Sequence, residues 1–221
     1  MNYRSLLYEY KVNDSSLRRF EMCTTKEKIL LTSLKLFAQD GYEAVSISKI
    51  SGELGMAKSA LYKHYKNKRD IFDSIINRMD ELDYERAREY NMPEGNMDEI
   101  IKGYRKISID KIRIYTEVQF KHWTEEEFPS LFRRMLTLEQ YRNQEMSDLY
   151  QKYLVSGPID YMTHLFAGII EKKEEAKQLA IEFYGPIFLM YSLYDNKREG
   201  DDLAEMLKKH VDRFSKKMDS Y

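Results

Sequence analysis

A single cysteine, Cys23, stands in the 221 residues. It excludes an internal disulfide and any metal site built on several cysteines, and it fits a reducing cytoplasm, the expected location. Four prolines and nine glycines are too few for an architecture of strands and tight turns. No run of about 18 apolar residues occurs, so neither a transmembrane span nor a membrane partner is expected. The first residues lack the apolar stretch of a signal peptide. The four histidines show no H-E-x-x-H or E-x-x-H spacing, and neither G-x-x-x-x-G-K nor G-x-S-x-G occurs. No catalytic residue, metal ligand or cofactor is therefore assigned, and the chain does not read as an enzyme.

The net charge is −1, but it is unevenly spread. Residues 24–73 carry nine Lys/Arg against six Asp/Glu, whereas residues 74–221 carry a net −5. Any affinity for nucleic acid must then be local to the N-terminal part. The stretch Ser46–Lys68, SISKISGELGMAKSALYKHYKNK, has the pattern of two short helices joined at a glycine turn. Between Ala57 and Arg69 lie five cationic side chains and no acidic one. With Leu61 and Tyr65 turned inward, Lys58, Ser59, Tyr62 and Lys63 point outward and His64 sits near the edge. That face suits a phosphate backbone. No Arg, Asn or Gln occurs between Ala57 and Lys66, so no bidentate base reader is evident.

The remaining chain reads as all-α. Residues 1–23 read as an N-terminal arm, flexible or upstream of the true start, with Arg18 and Arg19 within possible reach of DNA. Thr24-x-x-Glu27 is a capping box, and the helix it opens runs to about Gln39, with Asp40-Gly41 as its stop. Ser46 caps the second helix and Asn67 the fourth, which runs to about Tyr90. One long helix is expected from Asn96 to about Trp123, and Thr124-x-x-Glu127 reads as a second capping box. Further helices cover 144–154, 159–172, 174–195 and the segment after Asp202. The organisation expected is an arm (1–23), a helix-turn-helix head (24–72) and a helical body (73–221).

Ile29, Leu30, Leu34, Phe37, Gly41-Tyr42, Ser46-Ile47, Ile50, Leu54-Gly55-Met56, Leu61-Tyr62-Lys63-His64-Tyr65, Lys68 and Phe72 together resemble the tetracycline-repressor (TetR) family of transcriptional regulators. The resemblance covers about fifty residues. It implies about nine helices per chain, a homodimer joined through the last two helices, a palindromic double-stranded DNA operator and a small-molecule effector bound in the C-terminal part. Carried over by position, the DNA contacts are Ser46, Lys58, Ser59, Tyr62, Lys63, His64 and Lys68. Ala57, Ser59-Ala60 and Arg69 depart from the family pattern, which leaves the operator sequence open.

For the body, Tyr104, Tyr115, Phe120, Trp123, Tyr150, Tyr161 and His164 are the residues expected to line an effector pocket. The helix around 179–194 is apolar nearly all round, and the segment after Asp202 carries a stripe at 3–4 spacing. Phe183, Ile187, Met190, Tyr191, Tyr194, Leu203, Leu207, His210, Val211 and Phe214 are accordingly expected at a dimer seam. The function expected is a homodimeric repressor that its effector releases from DNA. The competing reading is a helical-bundle ligand carrier or enzyme without DNA binding.

Overall fold

The computed structural model describes residues 24–196 and 202–218. The arm over residues 1–23, with Arg18 and Arg19, lies outside them. The described residues are helical, in the order α1 (Thr25–Asp40), α2 (Ile47–Glu53), α3 (Lys58–Leu61), α4 (Lys68–Glu89), α5 (Met97–Tyr104), α6 (Ile109–Thr124), α7 (Glu127–Glu139), α8 (Gln144–Leu154), α9 (Ser156–Ile169), a 3-10 turn (Lys173–Glu175), α10 (Ala176–Asp195) and α11 (Leu203–Met218). Among them no strand occurs.

Local sequence sets most of these boundaries. The capping box forms as expected: the Thr24 hydroxyl accepts from the Glu27 amide, and the Glu27 carboxylate accepts from Thr24 N–H at 2.8 Å. Asn67 accepts from the Asp70 amide at the start of α4, and Asn96 and Glu99 form a second reciprocal box at α5. The first turn of α9 tolerates Pro158, because the amide it lacks has no helical partner there.

Two expected boundaries are overturned. The helix expected over Asn96–Trp123 is two helices, broken at Arg105–Ser108. Lys106 and Ile107 turn back through i→i+3 bonds to Gly103 and Tyr104, and the Ser108 hydroxyl then caps α6 by accepting from Lys111 N–H. The box expected at Thr124-x-x-Glu127 does not form. The Thr124 hydroxyl instead donates to the Phe120 carbonyl at 2.7 Å, and Glu126 opens α7 without a side-chain cap. A buried threonine found a nearer acceptor in its own helix.

One core runs from head to body. Leu34, Phe37, Ile71 and Phe72 fill the head, Phe132, Met135 and Leu136 the middle, and Leu179, Ile187 and Leu207 the far end. Phe183, Ile187, Met190, Tyr191, Leu203, Leu207, Val211 and Phe214 are buried within the single chain. Tyr194 meets the Phe120 ring edge-on, and His210 Nε2 lies 2.7 Å from the Phe183 carbonyl oxygen. These ten positions join α10 and α11 to their own chain. On α10 and α11 the large apolar side chains that face outward are Ile181, Leu189, Leu193 and Met206, of which Leu189 is 59% exposed.

Candidate nucleic-acid interface

The head begins at the turn between α1 and α2. Ser46, in extended backbone, accepts from the Lys49 amide and opens α2. The end of α2 is closed by Gly55 at φ +62°. Gly55 N–H bonds the Gly52 carbonyl and Met56 N–H bonds the Ser51 carbonyl. This nested pair of bonds needs a left-handed residue between α2 and α3, which glycine supplies without a Cβ penalty. The chain re-enters helix at Lys58 after only Met56 and Ala57, so α2 and α3 are held in a tight turn.

Helix α3 is short. It ends at Leu61, and tighter i→i+3 bonds from Lys63 to Ala60 and from His64 to Leu61 continue it. Leu61 is fully buried and Tyr65 nearly so. The Tyr65 hydroxyl donates to the Lys26 carbonyl, and burial pushes its pKa up to about 12. With these two side chains anchored, Lys58, Ser59, Tyr62, Lys63 and His64 all stand exposed, and so does Ser46 at the mouth of α2. Tyr62 is 52% exposed.

Lys68 is placed differently from the others. Its ammonium donates to the Tyr42 carbonyl at 2.8 Å and lies 4.1 Å from the centre of the Tyr42 ring. It braces the α1–α2 turn from below. Lys49 is likewise engaged, with Asp40 at 2.9 Å.

In the body, the structure brings three of the seven expected pocket residues together. Tyr104 of α5, Tyr115 of α6 and Tyr161 of α9 interact, and burial raises the pKa of each, that of Tyr115 to about 12. Gln119 Nε2 donates to the Tyr115 hydroxyl at 2.8 Å, and the Tyr90 ring centre lies 6.1 Å from that of Tyr115. Phe120 and Trp123 are buried in the core. Phe120 stacks on Tyr191 at 5.6 Å, and Trp123 packs near Phe132. Tyr150 packs on the core from α8, and His164 is exposed. Phe120 also lines a small cleft of about 150 Å³ with Glu117, Lys121, Tyr194, Leu203 and Leu207, less room than a drug-sized ligand fills.

A polar network not foreseen from sequence ties α4 to α6 and α7. His122 is wholly buried, with Nδ1 2.9 Å from Glu126 Oε2 and Nε2 3.3 Å from Asp83 Oδ1. Arg86 Nη2 donates to both Glu126 oxygens. Burial pushes the Glu126 carboxyl up, but the His122 hydrogen bond and the Arg86 charge outweigh it and hold it below its ordinary value. The i, i+4 spacing of His122 and Glu126 is visible in the sequence; their partners on α4 are not.

Residues 29–75 match the sequence model described as bacterial regulatory proteins, tetR family. The chain is 46% identical over 43 residues to the HTH-type transcriptional regulator YerO of Bacillus subtilis, itself uncharacterised, covering 20% of this chain and 15% of that protein. It is 37% identical over 51 residues to the HTH-type transcriptional regulator AcrR of Shigella flexneri, 23% of this chain and 24% of that one. The match thus spans a quarter or less of either relative's length. Among solved structures, the fatty acid degradation regulator FadR from Bacillus halodurans superposes with a TM-score of 0.58 at 16% identity, over 86% of this chain and 95% of that one. This last likeness is one of all-helical fold. The sequence matches fall on the segment that builds α1 to α4, and over that head the chain is similar to the TetR family of bacterial regulatory proteins.

Proposed function

We propose that the protein is a homodimeric transcriptional repressor that binds a palindromic operator through two heads and is released by a small molecule in its body. The observation that carries the DNA reading is the exposed face of Lys58, Ser59, Tyr62, Lys63 and His64, built on a helix-turn-helix whose inward residues are buried. Ser46 adds a polar contact at the start of α2. Lysines set affinity and salt dependence, Tyr62 and Ser59 are the candidates for reading base edges, and groove shape supplies the rest. Two heads in successive major grooves stand about 34–36 Å apart. Such a protein works where the DNA is, in the cytoplasm. Lys68, expected at the DNA, belongs in this reading to the bracing of the head.

The outward apolar residues of α10 and α11 support the dimer, because Ile181, Leu189, Leu193 and Met206 are apolar side chains exposed to water on the two helices. The Tyr104–Tyr115–Tyr161 cluster between α5, α6 and α9 is the place proposed for the effector. An effector that drives the bound state from 99:1 to 1:99 must favour the released state by about 5.5 kcal/mol.

Leu189→Glu tests the two-head reading. It places a carboxylate among these side chains and leaves the head untouched. Sedimentation should show a monomer, and operator affinity should fall by roughly 10²–10⁴, the avidity lost with the second head. A variant that stays dimeric at wild-type affinity would place the interface elsewhere.

A further inference from the structure

The surface of the head that faces the body holds a contact that neither the helix-turn-helix pattern nor the pocket explains. Glu139, the last residue of α7, is 1% exposed. Its Oε1 accepts the Tyr42 N–H at 3.2 Å across 97 residues of sequence. The cradle depends on Gly41, which stands at φ +85°, a conformation favouring glycine. A Cβ at Gly41 would lie 2.5 Å from Glu139 Oε1, so only glycine lets the carboxyl reach the turn. The other oxygen, Oε2, is buried without a hydrogen-bond partner among the described residues. The exposed Arg142 guanidinium approaches Oε1 only at 3.8 Å and leaves Oε2 unpaired; a half-satisfied buried carboxyl is costly in desolvation, so stability alone does not favour it over an apolar side chain.

What it holds is the turn that launches α2. Tyr42 is gripped from three sides. Its N–H goes to Glu139, its carbonyl accepts from Lys68, and its ring lies between Phe37 and Phe72 at 5.1 and 5.0 Å. Val45 N–H closes back on the Tyr42 carbonyl, and the next residue, Ser46, caps α2. Two further links between head and body flank the cradle, Lys35 to Glu127 at 2.7 Å and Arg69 to Glu145 in a two-pronged pair at 2.9 and 2.6 Å. Both are exposed, and exposed pairs fix geometry weakly. Glu139 is the link kept from water.

We propose that Glu139 is a positioning residue for DNA binding: from the end of α7 it fixes the α1–α2 turn, and through it the angle at which α2 and α3 meet DNA. This rests on the DNA-binding reading above. It gives the body a path to the head through α7 beside the covalent path through α4.

The test is operator binding of Glu139→Ala and Glu139→Gln, measured on the intergenic DNA upstream of the protein's own gene across a salt series. It is joined to hydrogen exchange of the peptide spanning residues 41–46. Glu139→Ala should bind about tenfold more weakly, with the salt slope of the wild type because no phosphate contact is lost, and its 41–46 peptide should exchange faster. Glu139→Gln keeps an acceptor oxygen and should restore both to near wild type. Should the alanine variant not fold, Glu139→Asp, which withdraws the oxygen by one methylene, takes its place with the same expectation. Wild-type affinity in the alanine variant, an equal loss in the glutamine variant, or unchanged exchange would each overturn the proposal. If the wild-type protein fails to bind any such DNA, the DNA-binding reading falls first. Protection of the 41–46 peptide in wild type and Glu139→Gln, lost in Glu139→Ala, then upholds the α7 contact by itself, and its absence removes that too.

Discussion

Phe72→Ala is expected to cost about 3–5 kcal/mol of stability, which for a chain of this size lowers Tm by on the order of 10 °C. Phe72 lies in the second turn of α4 and is fully buried. Its ring packs 5.0 Å from that of Tyr42, which in turn meets Phe37 at 5.1 Å. The Arg69 guanidinium lies 5.5 Å from its ring centre. Truncation therefore removes the side chain on which three elements converge and leaves a cavity that α1, α2 and α4 cannot close without moving. The loss should fall on the head first, so far-ultraviolet circular dichroism should show partial melting ahead of the main transition. A Tm within a degree or two of wild type would mean that the head is not packed around this ring.

Asp195→Ala is the second large effect, about 3–5 kcal/mol, because it strands a buried guanidinium. Arg133 of α7 is 4% exposed. Its Nε donates to the Trp123 carbonyl, and its two terminal nitrogens donate to the two Asp195 oxygens, each at 2.7 Å. The Tyr191 ring covers it at 5.4 Å. The pair joins the ends of α6 and α10 to α7. Burial pushes the Asp195 carboxyl up, but the hydrogen bond and charge of Arg133, helped by Arg134, hold it below its ordinary 3.8. A carboxyl whose folded-state pKa is depressed contributes fully above the unfolded-state value and loses that contribution as pH falls toward the folded one. Wild-type Tm should therefore be level near neutrality and fall below about pH 4, the unfolded-state range. The Asp195→Ala protein should start lower and show a shallower acid decline. Equal decline in both proteins would mean that the pair is not formed.

What the sequence made legible was local. The capping box at Thr24 and Glu27, the glycine stop at Gly41, the left-handed Gly55 and the inward pair Leu61 and Tyr65 all depend on neighbours within a few residues. What it hid was competition and distance. Thr124 could cap α7 or bond back into α6, and the local pattern gives no reason to prefer the second. An apolar stripe such as Leu203, Leu207, Val211 and Phe214 shows that a face is buried but not against which chain; it packs on its own α10, whose outward apolar side chains are Ile181, Leu189 and Leu193. Glu139 gave no signal at all, since its partner amide is 97 residues away and the acceptor role is invisible in the letter E. Lys68 carried only half its signal: a cation in a basic run reads as a DNA contact, and the letter K says nothing of the Tyr42 carbonyl and ring that its ammonium meets in the fold.

The most direct test of the DNA-binding reading is a salt titration of operator affinity for Lys58→Ala/Lys63→Ala against wild type. The two side chains are exposed on the outer face of the head and contribute nothing to its core. If they meet phosphates, each lost contact removes about 0.9 from the slope of log affinity against log salt, so the double variant should lose about 1.8 per head while folding normally. An unchanged slope at unchanged affinity, in a protein that melts like wild type, would contradict the assignment of this face to DNA.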